Sequence, residues 1–431
     1  MNLRLRLPRL PRGRVRLRPR NRLAVRLIAL LAFVGPGLVA ANAGNDAGGI
    51  ATYASVGARY GYALLWLMVL ITISLIVVQE MAARMGAVTG KGLAELIREQ
   101  YGPRWSLFST FAVLLANLGI CISEFVGVGA ALGLAGVPPQ VSVPIAAIVV
   151  WLLVVRGSYK LAERVFVAMT LVFFAYPIAA ILAHPQWSSV GRAVVEPKIH
   201  LTSAYVILLI ATIGTTITPF MQLYLQSAVV ERGMGPEDIP AERAEVTLAS
   251  IFANLVAVFI IIATGATLYV HGDRTVSSAA DAARALEPFA GRFAEALFAI
   301  GLLGASLLAA AILPVTAAYV IAETFGLEKG IARRPREAPV FVTTLTVLLL
   351  VGAAVAMVPG LPVIKLLVFV QVVNGALLPV TLFFLWRLAR SEELMGEYRN
   401  TPLFDAVAGV TVLATSGLSL VLVGLTLAGK A

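Results

Sequence analysis

The chain has 431 residues, of which 59% are hydrophobic and 13% charged, against about 25% charged in soluble domains. With a mean hydropathy of +0.89, this composition excludes an ordinary soluble domain. One cysteine and three histidines exclude a disulfide framework and a Cys/His metal cluster.

The net charge of +11 is local. Residues 1–26 hold ten arginines and no acid, which leaves the other 405 residues near +1. Arginine alternates there with Leu, Val and Pro, so residues 1–24 read as a disordered cytoplasmic tail that orients the first span and meets anionic lipid headgroups. The tail carries no aromatic residue for base stacking, and no nucleic-acid role is expected.

Spans need about 20 mostly apolar residues. Eleven are predicted: 25–55, 62–86, 106–134, 140–156, 162–183, 203–230, 246–270, 292–325, 338–358, 362–388 and 403–428. Basic residues concentrate in alternate connections, among them Lys91, Arg98 and Arg104, then Lys160 and Arg164, then Arg333, Arg334 and Arg336. This places the N-terminus in the cytoplasm and the C-terminus outside a cell membrane. The polar stretches 184–202 and 271–291 read as surface loops, and the transmembrane domain runs over 25–431. Nothing points to an obligate protein partner, and a monomer is expected.

Span one contains N-A-G-N-D-A-G-G-I-A-T (42–52), with Asp46 beside Gly44, Gly48 and Gly49. Each glycine costs about 1 kcal/mol against alanine inside a helix, so the segment is expected to unwind. Freed carbonyls are tolerated at membrane depth only where they face protein, water or an ion. With Asp46 they form a hard-oxygen set for a cation, and an intramembrane carboxylate points to function. The competing reading is a glycine-rich packing face with Asp46 merely hydrogen-bonded.

Span six reads A-T-I-G-T-T-I-T-P-F-M-Q (211–222), and Pro219 predicts a second break over Thr215–Pro219. Its competing reading is a simple proline kink. Spans one and six thus correspond, which suggests an inverted repeat of five plus five spans (25–183 and 203–388) and an added helix over 403–428. In span ten, Gln371 and Asn374 share a helical face and serve either as interhelical glue or as neutral ligands. Glu124 in span three is a proton relay, a buried hydrogen-bonding group or the lining of an aqueous path. Glu80 and Arg84 read as a structural i,i+4 pair. No nucleotide loop or nucleophile–base pair appears, so no enzyme is expected.

At these residues the sequence resembles the Nramp family of divalent-metal transporters, most strongly over 35–66, with K-G-L-A-E-L-I-R-E-Q-Y-G (91–102) and L-M-G-E-Y-R-N (394–400) as further matches. The resemblance implies a LeuT-type fold with broken helices 1 and 6, no cofactor, and a divalent ion as substrate. The family's Asp-Pro-Gly-Asn appears as Asp46-Ala47-Gly48-Gly49, and its Met-Pro-His as Thr218-Pro219-Phe220. Gln371 matches a metal-site glutamine. Glu124 matches a glutamate of the proton pathway, whose neighbouring aspartate is Cys121 here.

Losing a thioether at 218 and an amide at 49 favours a hard, partly hydrated ion. The likeness is therefore to the Nramp-related magnesium transporters, and alternating-access transport of Mg²⁺, with Mn²⁺ tolerated and little proton coupling, is expected. Its metal-site residues would be Asp46, Ala43, Gly49 (as space), Thr215, Thr218 and Gln371. Gly44, Asn45, Glu124 and Asn374 would stand behind them or along the pathway. The alternative is a proton-coupled Mn²⁺/Fe²⁺ importer, and a cation channel is a third, weaker candidate.

Overall fold

The computed structural model describes residues 43–156, 175–200, 202–330 and 335–427, and every regular element in them is helical. A 3-10 turn (Ala43–Asn45) leads into α1 (Ala47–Tyr60), α2 (Leu65–Thr89), α3 (Leu93–Tyr101), α4 (Pro103–Gly133) and α5 (Pro139–Val155). Next come α6 (Ala175–Leu182), α7 (Trp187–Val195), α8 (Ser203–Thr216), α9 (Pro219–Glu231) and α10 (Ile239–Thr264). The chain finishes with α11 (Ala294–Phe325), α12 (Pro339–Ala356), α13 (Val363–Ala389) and α14 (Pro402–Leu427).

Among the described residues, eight segments are long and apolar enough to cross a membrane, and α5 is a shorter apolar helix of the same kind. Each coincides with a predicted span. The predicted spans 25–55 and 162–183 are described only from Ala43 and Ala175 onward. The basic tail, the Gly35–Pro36–Gly37 stretch, Lys160, Arg164, Arg333 and Arg334 lie outside the described residues.

The two long polar connections are more structured than expected. α7 lies in the first, with Val190 as its buried residue. In the second, Ser278 and Asp281 form a reciprocal capping box that starts a short helix, Ala279–Ala283. The Ser-x-x-Asp spacing carried that signal.

Inside the bundle α4 packs along α11, α10 against α2, and α8 against α13. The α8–α13 crossing depends on two glycines. A β-carbon on Gly214 would lie 2.4 Å from the Gly375 amide, and one on Gly375 would lie 2.6 Å from the Ile210 carbonyl. Without a hydrophobic force between helices in lipid, close backbone approach of this kind is what holds them together. Large apolar side chains such as Phe111, Leu350 and Leu420 cover the outer faces.

The Glu80–Arg84 pair is present at 3.0 Å with both side chains buried, and it is wider than an i,i+4 pair. Arg243 of α10 also reaches Glu80, at 2.7 Å. Arg84 continues to the Tyr398 carbonyl and to Asn400 Oδ1 at 2.8 Å. The cluster therefore ties the 394–400 connection to α2. Arg84→Ala would leave a buried carboxylate short of its inner partner and should destabilise the protein by about 3 kcal/mol. Arg243→Ala, which removes a half-exposed partner, should cost under about 1 kcal/mol. Thermal denaturation in detergent measures both, and equal losses would contradict this ranking.

Candidate functional site

Both predicted breaks exist, and they meet. The chain is extended at Asp46 (φ −69°, ψ −178°), which caps α1 by accepting from the Gly49 amide at 2.6 Å. The second break falls at Ile217 and Thr218, the latter extended (φ −79°, ψ 143°), with Pro219 opening α9. Proline suits that first helical position because its missing N–H would have no partner there. The positive end of α1 and the negative end of α8 are thus exposed within the protein.

The small residues decide how closely the two breaks approach. A β-carbon on Gly44 would sit 3.0 Å from the Thr215 carbonyl oxygen and 3.6 Å from that of Thr216. These are among the last carbonyls of α8, which lack partners within the helix. Thr215 Oγ1 donates to the Gly44 carbonyl at 3.4 Å. A β-carbon on Gly49 would lie 2.2 Å from that same carbonyl and 2.9 Å from Thr215 Oγ1. Gly49 was expected to leave room for a hydrated ion. Instead the absent side chain admits a carbonyl and a hydroxyl.

Gln371 of α13 faces Asp46. Its Nε2 donates to Oδ1 at 3.3 Å and to Oδ2 at 3.5 Å, while its Oε1 accepts from Asn374 Nδ2 at 2.9 Å. The carboxylate, which can only accept, takes the nitrogen end of the Gln371 amide, and Asn374 engages the oxygen end. Gly48 makes the contact possible, since a β-carbon there would fall 2.0 Å from Gln371 Nε2. The site is shut off from solvent: Asp46 is 1% exposed, and Thr215, Thr218 and Gln371 are 0% exposed.

The remaining expected residues divide. Thr218 Oγ1 is buried and makes no hydrogen bond, so one oxygen donor at the break is uncommitted. Ala43 opens the 3-10 turn, but the carbonyl brought to Thr215 is that of Gly44. Asn45 donates to the Ala253 carbonyl at 3.1 Å and so anchors the turn to α10. Glu124 accepts from the Ala47 amide at 3.2 Å and from Ser123 at 3.0 Å, which puts a second carboxylate directly behind Asp46. Cys121 is buried with its thiol toward the Leu348 carbonyl, 3.5 Å away.

Two groups at the site had not been anticipated. Met221 is fully buried, and its methyl lies 3.0 Å from where a Gly44 β-carbon would be. A thioether side chain is therefore present in the first turn of α9, three residues beyond Thr218. Tyr53 of α1 hydrogen-bonds Thr216 Oγ1 at 2.9 Å and ties the two broken helices together. Among the described residues no three His, Cys, Asp or Glu side chains converge. A cation held here would thus have Asp46 as its charged ligand and carbonyl, hydroxyl, amide or thioether groups as the others.

A family model described as natural resistance-associated macrophage protein-like (Nramp) matches residues 37–425. The divalent metal cation transporter MntH of Ralstonia nicotianae is 34% identical over 422 residues, covering 93% of this chain and 92% of that protein. The fold is similar to that of a mutant of the Eremococcus coleocola manganese transporter (TM-score 0.74, 22% identity, 96% of this chain and 88% of that one). It is also similar to MhsT in complex with L-phenylalanine (TM-score 0.59, 14% identity, 90% and 97%). The chain is accordingly a multi-pass, LeuT-type membrane protein that belongs to the Nramp family of divalent metal transporters.

Proposed function

We propose that this chain carries Mn²⁺ and similar divalent transition-metal ions by alternating access, with the N-terminus cytoplasmic and the C-terminus outside. The observation that carries the reading is Asp46 at a break in α1, facing the Gln371 amide and the open end of α8. A metal ion would replace the Gln371 N–H groups at the carboxylate, and rotation of that amide would offer Oε1 as a further ligand. The cargo class follows from relatives named as divalent metal cation transporters, and manganese is the ion named for the Eremococcus protein of the same fold. Met221 adds chemical support, because a thioether favours transition metals over hard ions. Glu124, bonded to the amide next to Asp46, offers a place for a proton displaced when the metal arrives.

A second reading, Mg²⁺ carried partly hydrated without protons, is favoured by Thr218. A hydroxyl stands there where the family has a thioether, and it has no other partner. Phe220 and Cys121, in place of a histidine and an aspartate, also favour that reading.

Purified protein in liposomes should take up Mn²⁺ saturably with acidification of the lumen, and Asp46→Ala should abolish uptake. Uptake of Mg²⁺ with no pH change would establish the second reading instead, and full activity of Asp46→Ala would remove the site. Met221→Leu keeps the volume and deletes the sulfur. It should raise KM for Mn²⁺ about tenfold, roughly 1.4 kcal/mol, and leave Mg²⁺ competition unchanged; an unchanged KM would take Met221 out of the ligand set. Gly48→Ala should push Gln371 away from Asp46 and raise KM by a similar factor, with folding checked by thermal denaturation.

A further inference from the structure

Where α1 and α10 end and α13 begins, a cavity of about 1030 Å³ opens between α8, α13 and α14. Its walls include Phe369, Val372 and Leu422, and Phe369 is 63% exposed on the outer face of α13. Three cations line the same cavity: Arg59 at the end of α1, Arg274 after α10, and Lys365 in the first turn of α13. All three are exposed, and none is paired with a carboxylate of the described residues, although Asp273 and Arg284 pair with each other nearby at 2.9 Å.

The arginines are held without using their donors. Arg274 lies on the face of Tyr269, 3.5 Å from the ring centroid, and Arg59 lies 5.8 Å from that of Tyr60. A cation–π contact engages the guanidinium face and leaves the N–H edges for an anion.

Three positive charges repel a divalent cation, so this cavity is ill suited to admit the cargo. Its polarity matches a different molecule: an anionic head at the membrane boundary and hydrocarbon along the apolar wall. We propose that the cavity is a binding site for one anionic phospholipid, with its phosphate held by Arg59, Arg274 and Lys365 and an acyl chain lying against Phe369, Val372 and Leu422. The occupant would bridge α8, α13 and α14 in the leaflet on the side of the 271–278 connection.

Native mass spectrometry of the full chain in detergent tests this, with dioleoylphosphatidylglycerol and dioleoylphosphatidylcholine as probes. The wild type should retain one phosphatidylglycerol and not the zwitterionic lipid. Basic residues near anionic lipid contribute about a factor of five each. Combined Arg59→Gln, Arg274→Gln and Lys365→Gln should therefore weaken retention about a hundredfold. Ala376 also lines the cavity; Ala376→Trp keeps the charges, fills the space and should also abolish retention, and it decides the matter alone if the charge variant fails to fold. Retention unchanged in Ala376→Trp or in a folded charge variant, or equal retention of phosphatidylcholine, would overturn the proposal. Displacement by free glycerol phosphate at equal concentration would also overturn it, by showing a small-anion site.

Discussion

The structure is organised around a buried carboxylate that its surroundings satisfy only in part. Asp46 receives one amide from its own helix and a weaker pair of contacts from Gln371. The end of α1 behind it contributes roughly half a positive charge. Neutral donors of this kind stabilise an anion, but burying a full charge is costly unless it is paired. A divalent cation would supply that missing charge. The small residues around Asp46 follow from the same constraint: Gly44, Gly48 and Gly49 each stand where a β-carbon would displace a polar group.

The two breaks complement each other electrically. At α1 the free groups are amides, which favour the anion; at α8 they are carbonyls, which favour a cation. Brought together, they make a site with an anion on one side and cation acceptors on the other, walled by protein so that no freed backbone group meets lipid. Glu124 belongs to this arrangement because it reaches the amide of Ala47. Two carboxylates at one helix start would give a proton and a metal ion competing claims on the same negative charge. Coupling between them would need no further relay residue at that point.

The breaks were legible in the sequence because their causes are local: a glycine cluster at 44–49 and Pro219. The Gln371–Asn374 contact was legible too, since spacing alone puts the two on one face. What stayed hidden depended on partners far along the chain. That Gln371 presents its nitrogen to Asp46 follows from the acceptor-only carboxylate it meets, and the approach is set by Gly48, 323 residues before Gln371. Arg243 joins Glu80 from a helix 163 residues away. Nothing local marks Met221 as part of the site, and only the fold brings it beside Gly44. Gly49 shows the limit most clearly. Sequence can say that a side chain is missing, but not what fills the space.

The position of the sulfur bears on selectivity through geometry. Thr218 caps α9 at the break with extended backbone, and Met221 lies in the first turn of that helix, so the two stand at different depths. The hydroxyl lies at the level of the break, and the thioether is one turn farther into α9. An ion bound at the break would meet an oxygen environment that a hard, hydrated cation tolerates. An ion drawn towards Gly44 would approach the Met221 side chain, where a thioether ligand would favour a transition metal over Mg²⁺. Discrimination would then rest on how deep the ion settles between two half-helices, so that residues fixing their separation, such as Gly44 and Tyr53, contribute to selectivity without touching the metal.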